Sequence, residues 1–144
     1  MLKRFSVSLE ENLLEDFDEF IDHRQYGNRS EAIRDLIRKT LIAKEWQADK
    51  QVMGVISLVY DHHQHKLQEK ITEEQHAFHH QIVASTHVHM DHDNCMEVII
   101  VRGMEVIIVR GNADEVKNLA DKLIALRGVR DGNLAMSSTG KDLH

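Results

Sequence analysis

The spacing of apolar residues changes along the chain, and each spacing predicts an element. Residues 4–9, RFSVSL, alternate strictly: Phe5, Val7 and Leu9 point one way, Arg4, Ser6 and Ser8 the other. That is the period of a short strand with one apolar face and one hydrogen-bonding face. Ser8-Leu9-Glu10-Glu11 has capping-box spacing and opens a helix. Leu13, Leu14, Phe17, Phe20 and Ile21 form its apolar stripe, and Gly27 ends it as a left-handed cap would. Asn28-Arg29-Ser30 then caps a second helix with Ile33, Leu36, Ile37, Leu41 and Ile42 on one face. The first unit is therefore strand–helix–helix.

Residues 44–51, KEWQADKQ, read as the end of the second helix plus a polar linker. Val52–Tyr60 is β-branched and nearly all apolar, hence a buried strand. Residues 64–78 read as a helix with Leu67 and Ile71 inward, Ile82–Met90 as a strand, Asp91–Asn94 as a turn, and the MEVIIVRG region as strand. Ala113–Leu126 is a helix with Val116, Leu119, Ala120, Leu123 and Ile124 inward and Gly128 beyond its end; Asn133–Ser137 is a last strand. The order β-α-β-β-α-β is the ferredoxin-like arrangement, an antiparallel sheet with two helices on one face. The predicted class is α+β, with an N-terminal β-α-α domain over 1–45, a linker over 46–51, a ferredoxin-like domain over 52–137 and a flexible tail over 138–144.

A lone strand needs a partner for its backbone N–H and C=O groups. The nearest candidate is the same strand of another copy. A two-fold antiparallel ribbon would carry Arg4, Ser6 and Ser8 of both chains on one face. Such a ribbon fits the DNA major groove, where arginine reads guanine and a hydroxyl serves as donor or acceptor. The other reading of the same pattern is an edge strand of an ordinary sheet.

The word MEVIIVRG is written twice in succession, at 96–103 and 104–111. Eight is even, so the insertion preserves side-chain alternation. One unbroken strand through both copies would be unusually long. One copy is therefore expected in the sheet and the other outside it, the product of a tandem duplication, natural or introduced. The short turn at 91–94 ties Met96–Val101 to the strand 82–90, so the first copy is expected as the core strand and Met104–Arg110 as the extra segment.

Length and composition bound the rest. The chain has 144 residues, 42% of them apolar, enough for one average domain or two small ones that gain from oligomerisation. No apolar run approaches the roughly 20 residues that span a bilayer, and the N-terminus has no apolar signal core. A soluble, intracellular protein is expected. Net charge is −6, which argues against simple coating of nucleic acid. Proline is absent, and the single cysteine, Cys95, cannot form an internal disulfide.

Histidine is the outlier, at 11 residues, of which 62, 63, 65, 76, 79, 80, 87, 89 and 92 crowd one stretch. His87 and His89 are two apart on a strand, so both imidazoles leave the same face, roughly 7 Å apart at the Cα. The turn 91–94 brings Cys95 alongside. A thiolate with imidazoles selects zinc, copper or nickel, and geometry decides among them. A fourth ligand would come from His76, His79 or His80, within the chain or across a subunit interface. No obvious base–nucleophile pair accompanies the cluster, which argues against an enzyme.

The chain resembles, from end to end, the nickel-responsive regulators of the NikR family. The resemblance is carried by RFSVSLEENLL, NRSEAIRDLIR, GVISLVYDHH, QHAFHH, HVHMDHDNC and LADKLIALRGVRDGNL. It implies a ribbon-helix-helix domain followed by an ACT-like domain, assembled as a homotetramer, a dimer of dimers. It implies one square-planar Ni(II) per subunit, bound by His87, His89 and Cys95 of one chain and His76 of a neighbour. Tyr60, Gln75 and Glu97 match residues around that site, and Arg4, Ser6 and Ser8 match those that read operator DNA. Two of these ribbon positions are often threonine in the family; serine keeps the hydroxyl and loses the methyl. Glu31 and Asp35 match acidic positions that hold a second cation between the domains on DNA, or they are a solvated helix face. The implied function is a cytoplasmic repressor of nickel-uptake genes, with Ni(II) promoting operator binding. The alternative is a metal storage or delivery module without DNA function, which would have no use for the ribbon face. The duplicated word departs from the family pattern, which has one such strand.

Overall fold

The computed structural model describes residues 1–61, 64, 66–89 and 102–142, without the side chains of Asp61, Val88, His89 and Arg102. The chain forms two compact units, Met1–Thr40 and Leu41–His144.

In the first unit, α1 spans Glu11–Arg24 and α2 begins at Arg29, running to Gln47. The first ten residues form no strand within the chain, and Phe5 and Val7 are 73% and 61% exposed. A ladder needs a second strand, and this unit contains none. The expected capping box is also missing: α1 starts after an extended Glu10, with no side-chain cap bond. Its left-handed C-terminal residue is Gln25 (φ 59°), two positions before the expected Gly27. The Gly27 N–H instead donates to Glu31 Oε2 at 3.0 Å. Asn28 does cap α2, its Oδ1 accepting the Glu31 N–H at 2.9 Å, a contact of the kind that contributes about 1 kcal/mol. Arg29 forks onto both carboxylate oxygens of Asp18 at 2.8 and 2.7 Å, joining α2 to α1.

The second unit contains β1 (Gln51–Asp61), α3 (Leu67–Ala77), β2 (Ile82–His89), β3 (Arg102–Asn112), α4 (Ala113–Ile124) and β4 (Val129–Ser138). The sheet order is β2-β3-β1-β4 and every pair is antiparallel. This is the expected ferredoxin-like topology. Alternation sends Val52, Ile56, Leu58 and Tyr60 of β1, with Ile107 and Val109 of β3, into one core with Leu67 and Ile71 of α3 and Val116, Leu119 and Leu123 of α4. Gly128, at φ +100°, makes the turn into β4; a Cβ there would meet Gln64 Cγ at 2.5 Å.

The segment 46–51 is more structured than its polarity suggests. Trp46 lies in the last turn of α2, is buried, and donates its indole N–H to the Ser137 carbonyl at 2.9 Å. Asp49 accepts the Asp114 N–H at 2.8 Å, and so caps the first turn of α4 from outside it. Gln51 already pairs with Asn112 across the β1–β3 ladder.

The expectation that Met104–Arg110 is the extra segment is overturned. The second copy lies in the sheet: Met104–Gly111 pairs with β1 along its whole length, and 103–109 with β2. The constraint is the junction with α4. Asn112 pairs with Gln51 and the Ala113 N–H donates to the Lys50 carbonyl at 3.0 Å, so the copy contiguous with α4 is locked into the slot. Met90, the turn 91–94, Cys95 and residues 96–101 lie outside the described residues.

Removing either copy yields the same chain, so point substitutions must separate them. Ile107→Ala should cost about 2–5 kcal/mol, the usual range for truncating a fully buried isoleucine. Ile99→Ala, the identical change in the first copy, should cost less; chemical denaturation of the two variants measures the difference.

Candidate metal centre

β2 delivers His87 to the covered face of the sheet by way of an irregularity. Ile82 pairs with Val109 and Ala84 with Ile108, so Val83 is an extra residue on β2. Without that bulge, Ile82 and His87, five positions apart, would point to opposite faces. With it, Ile82, Ser85 and His87 share the face on which β3 presents Val109, Ile107 and Glu105.

His87 stands directly opposite Glu105 in the ladder. Its Nδ1 lies 2.8 Å from Glu105 Oε1 and 2.8 Å from the Tyr60 hydroxyl oxygen. The Tyr60 hydroxyl also donates to Glu105 Oε1 at 3.4 Å, and the Ser85 hydroxyl donates to Glu105 Oε2 at 3.0 Å. Glu105 is the buried charged residue of the described core surface, its side chain 8% exposed against 23% for His87. A carboxylate so placed needs donors on both oxygens, and Tyr60, Ser85 and the imidazole supply them. Burial, followed by the Glu105 charge and hydrogen bond, pushes the Tyr60 phenol well above its ordinary range. Tyr60 therefore remains a donor at all physiological pH values.

An imidazole held at Nδ1 by a carboxylate is the arrangement that fixes a histidine's tautomer and raises its basicity as a metal ligand. The His87 imidazole is thus prepared as one ligand; among the described residues no three His, Cys, Asp or Glu side chains gather closely enough to hold a metal ion. The backbone of His89 pairs opposite Gly103, two residues along from His87. Cys95 and Glu97 lie outside the described residues. Glu105, the same residue of the second copy, occupies the place expected of Glu97. Neither Glu105 nor Ser85 was singled out from the sequence. The Glu105 signal was present as the repeat, but identical copies give no local reason to choose the second. Ser85 was legible only as a residue two before His87 on a strand.

His76 is exposed on the last turn of α3, and Gln75 beside it is partly buried. Together with Thr72, His79 and Ile82 they line a shallow depression. The His79 Nδ1 lies 3.1 Å from the His76 carbonyl, and the His79 and His80 rings are 3.9 Å apart. No described contact links His76 to His87 within the chain.

In the first unit, Arg4, Ser6 and Ser8 lie exposed in the extended N-terminal stretch. Glu31 is engaged with the Gly27 N–H. Asp35 accepts a hydrogen bond from the Tyr26 hydroxyl and pairs with Lys39 at 2.9 Å. These two contacts, the tyrosine bond first, hold the Asp35 carboxyl below its ordinary value. Among the described residues no helix is long and apolar enough to cross a membrane.

Comparison with known proteins places these features in context. Residues 3–44 match the family model of ribbon-helix-helix proteins of the CopG type. Residues 53–104 and 103–137 match the model of the NikR C-terminal nickel-binding domain, with the break at the junction of the two repeat copies. A protein named as a nickel-responsive regulator from Desulfotalea psychrophila is 65% identical over 144 residues, covering 100% of both chains. Proteins of the same description from Pelobacter propionicus and Geobacter sulfurreducens are 48% and 49% identical, each covering 98% of this chain and 96% of its own. Among solved structures, an uncharacterised protein from Thermotoga maritima shares the fold, with a TM-score of 0.50 and 16% identity over 60% of this chain and 98% of its own.

The raised Tyr60 value has a consequence for stability. An unfolded chain releases this proton near the ordinary value of 10.0, whereas the folded chain holds it. Stability should therefore fall as pH rises above that value. In a Tyr26→Phe background, Tyr60→Phe should flatten this alkaline loss, as read from denaturant midpoints across the pH series.

Proposed function

Because this chain belongs to the family of nickel-responsive regulators, with a ribbon-helix-helix DNA-binding region ahead of a nickel-binding domain, we propose that it is a cytoplasmic repressor of nickel-uptake genes whose operator binding is promoted by Ni(II). The observation that supports this most directly is His87, locked through Nδ1 against the buried Glu105 carboxylate and the Tyr60 phenol. In this reading His87, His89 and Cys95 of one chain and His76 of a neighbour hold one Ni(II) per subunit. Cys95 follows His89 by six residues, well within covalent reach. Bound nickel supplies a fixed cross-link between subunits. Gln75, beside His76, orients that ligand at the interface.

The N-terminal stretches of two chains pair as a ribbon that presents Arg4, Ser6 and Ser8 to the major groove. Support comes from the exposure of Phe5, Val7, Leu13 and Ile37, an apolar surface that a second copy would cover. Two such dimers form the tetramer. Glu31 and Asp35 are the carboxylates proposed for a second cation, which would compete with their bonds to Gly27, Tyr26 and Lys39.

The direct test is operator binding measured with and without Ni(II) and across other divalent metals; equal binding in all conditions would overturn the reading. Cys95→Ala should abolish the thiolate-to-nickel charge-transfer band, and its retention would remove Cys95 from the ligand set. Arg4→Ala should cost roughly 1–3 kcal/mol of operator discrimination while leaving nickel affinity unchanged, as read by parallel DNA and metal titrations.

A further inference from the structure

We propose that Ser85 is a positioning residue for the His87 imidazole, acting through Glu105. This rests on the reading of His87 as a nickel ligand. The terminal torsion of a glutamate is broad, so one hydrogen bond leaves its carboxylate plane poorly fixed. Glu105 is held at both oxygens. Oε1 faces His87 Nδ1 at 2.8 Å and the Tyr60 hydroxyl at 3.4 Å, and Oε2 accepts the Ser85 hydroxyl at 3.0 Å. Ser85 is two residues from His87 on β2, so both leave the same face, and the ladder places Ser85 opposite Ile107, one step beyond Glu105 on that face. The hydroxyl thus reaches across the ladder to the far oxygen of the carboxylate that His87 meets head-on. Anchoring Oε2 keeps Oε1 in line with Nδ1. The carboxylate then selects the Nδ1–H tautomer and turns Nε2 into the ligand atom. The bulge at Val83 is what allows Ser85 and His87 to share this face with the apolar start of β2.

The clamp consists entirely of residues from β1, β2 and the second copy of the repeat. It therefore exists before any metal arrives, and can be tested in the metal-free protein. The experiment compares full-length wild type, Ser85→Ala and Ser85→Thr by two measurements. Nitrogen NMR of histidine-labelled, metal-free protein reads the tautomer of His87. Competition against a chelator reads Ni(II) affinity. In wild type His87 should be predominantly the Nδ1–H tautomer. Ser85→Ala should give a mixture of tautomers and lower nickel affinity about tenfold, the lower end of what loss of an outer hydrogen-bond partner costs a metal site. Ser85→Thr, which keeps the hydroxyl, should restore both. An unchanged tautomer in Ser85→Ala overturns the inference, whether or not affinity falls, as does a failure of Ser85→Thr to rescue. If wild type binds no nickel, the functional reading fails by itself; the tautomer measurement still decides whether Ser85 orients His87.

Discussion

Residues 103–109 have both backbone edges committed, to β1 on one side and to β2 on the other. That double commitment is what the rest of the second unit depends on. A strand has a side-chain period of two, so a slip of one residue would move Glu105, Ile107 and Val109 out of the core and turn Val106 and Ile108 inward. The buried carboxylate and the two apolar anchors therefore fix one another. The ladder to β1 sets the depth of Ile107 against Ile56, and the ladder to β2 sets Glu105 against His87. The bulge at Val83 reconciles the two ends of β2, which need the same face at an odd spacing. A polar cluster of imidazole, carboxylate, phenol and hydroxyl is held at the rim of an apolar core by geometry that the core itself enforces.

The first unit follows a different logic. Its two helices are joined by the Arg29–Asp18 fork and by local caps, all of them solvent-exposed and individually weak. Its apolar surface is left partly uncovered, at Phe5, Val7, Leu13 and Ile37. The helices are thus closed by local chemistry, whereas the N-terminal stretch pairs with no strand among the described residues. The sheet unit, by contrast, buries a core of its own.

Much of this was legible in the sequence. A β-branched, nearly all-apolar run located β1, the stripe at Val116, Leu119 and Leu123 located α4, and the order of elements specified the sheet topology. Cap chemistry was legible where the side chain bonds directly, as at Asn28, and misleading at Ser8, since α1 starts after Glu10 with no side-chain cap, and at Gly27, since backbone bonds to the Asp22 and Ile21 carbonyls set the end of α1 instead. The stretch at 46–51 looked like a linker because its polar letters outnumber Trp46; only tertiary contact reveals that the indole closes the core and that Asp49 caps a distant helix. His87 was singled out by H-x-H spacing, and it stands against Glu105 and Tyr60. The carboxylate behind His87 was not, since two identical words offered two glutamates, and the choice is made by the junction at Asn112 rather than by the words.

The duplicated strand also carries a clock. Packing discriminates against change in the second copy: Glu105, Ile107 and Val109 are each tied to a neighbour. The same letters at 97, 99 and 101 lie outside the described residues. Two copies of one word drift apart with every generation. These two still agree at all eight positions. Such identity is a mark of youth, and drift in lineages descending from this chain is expected to spare Glu105, Ile107 and Val109.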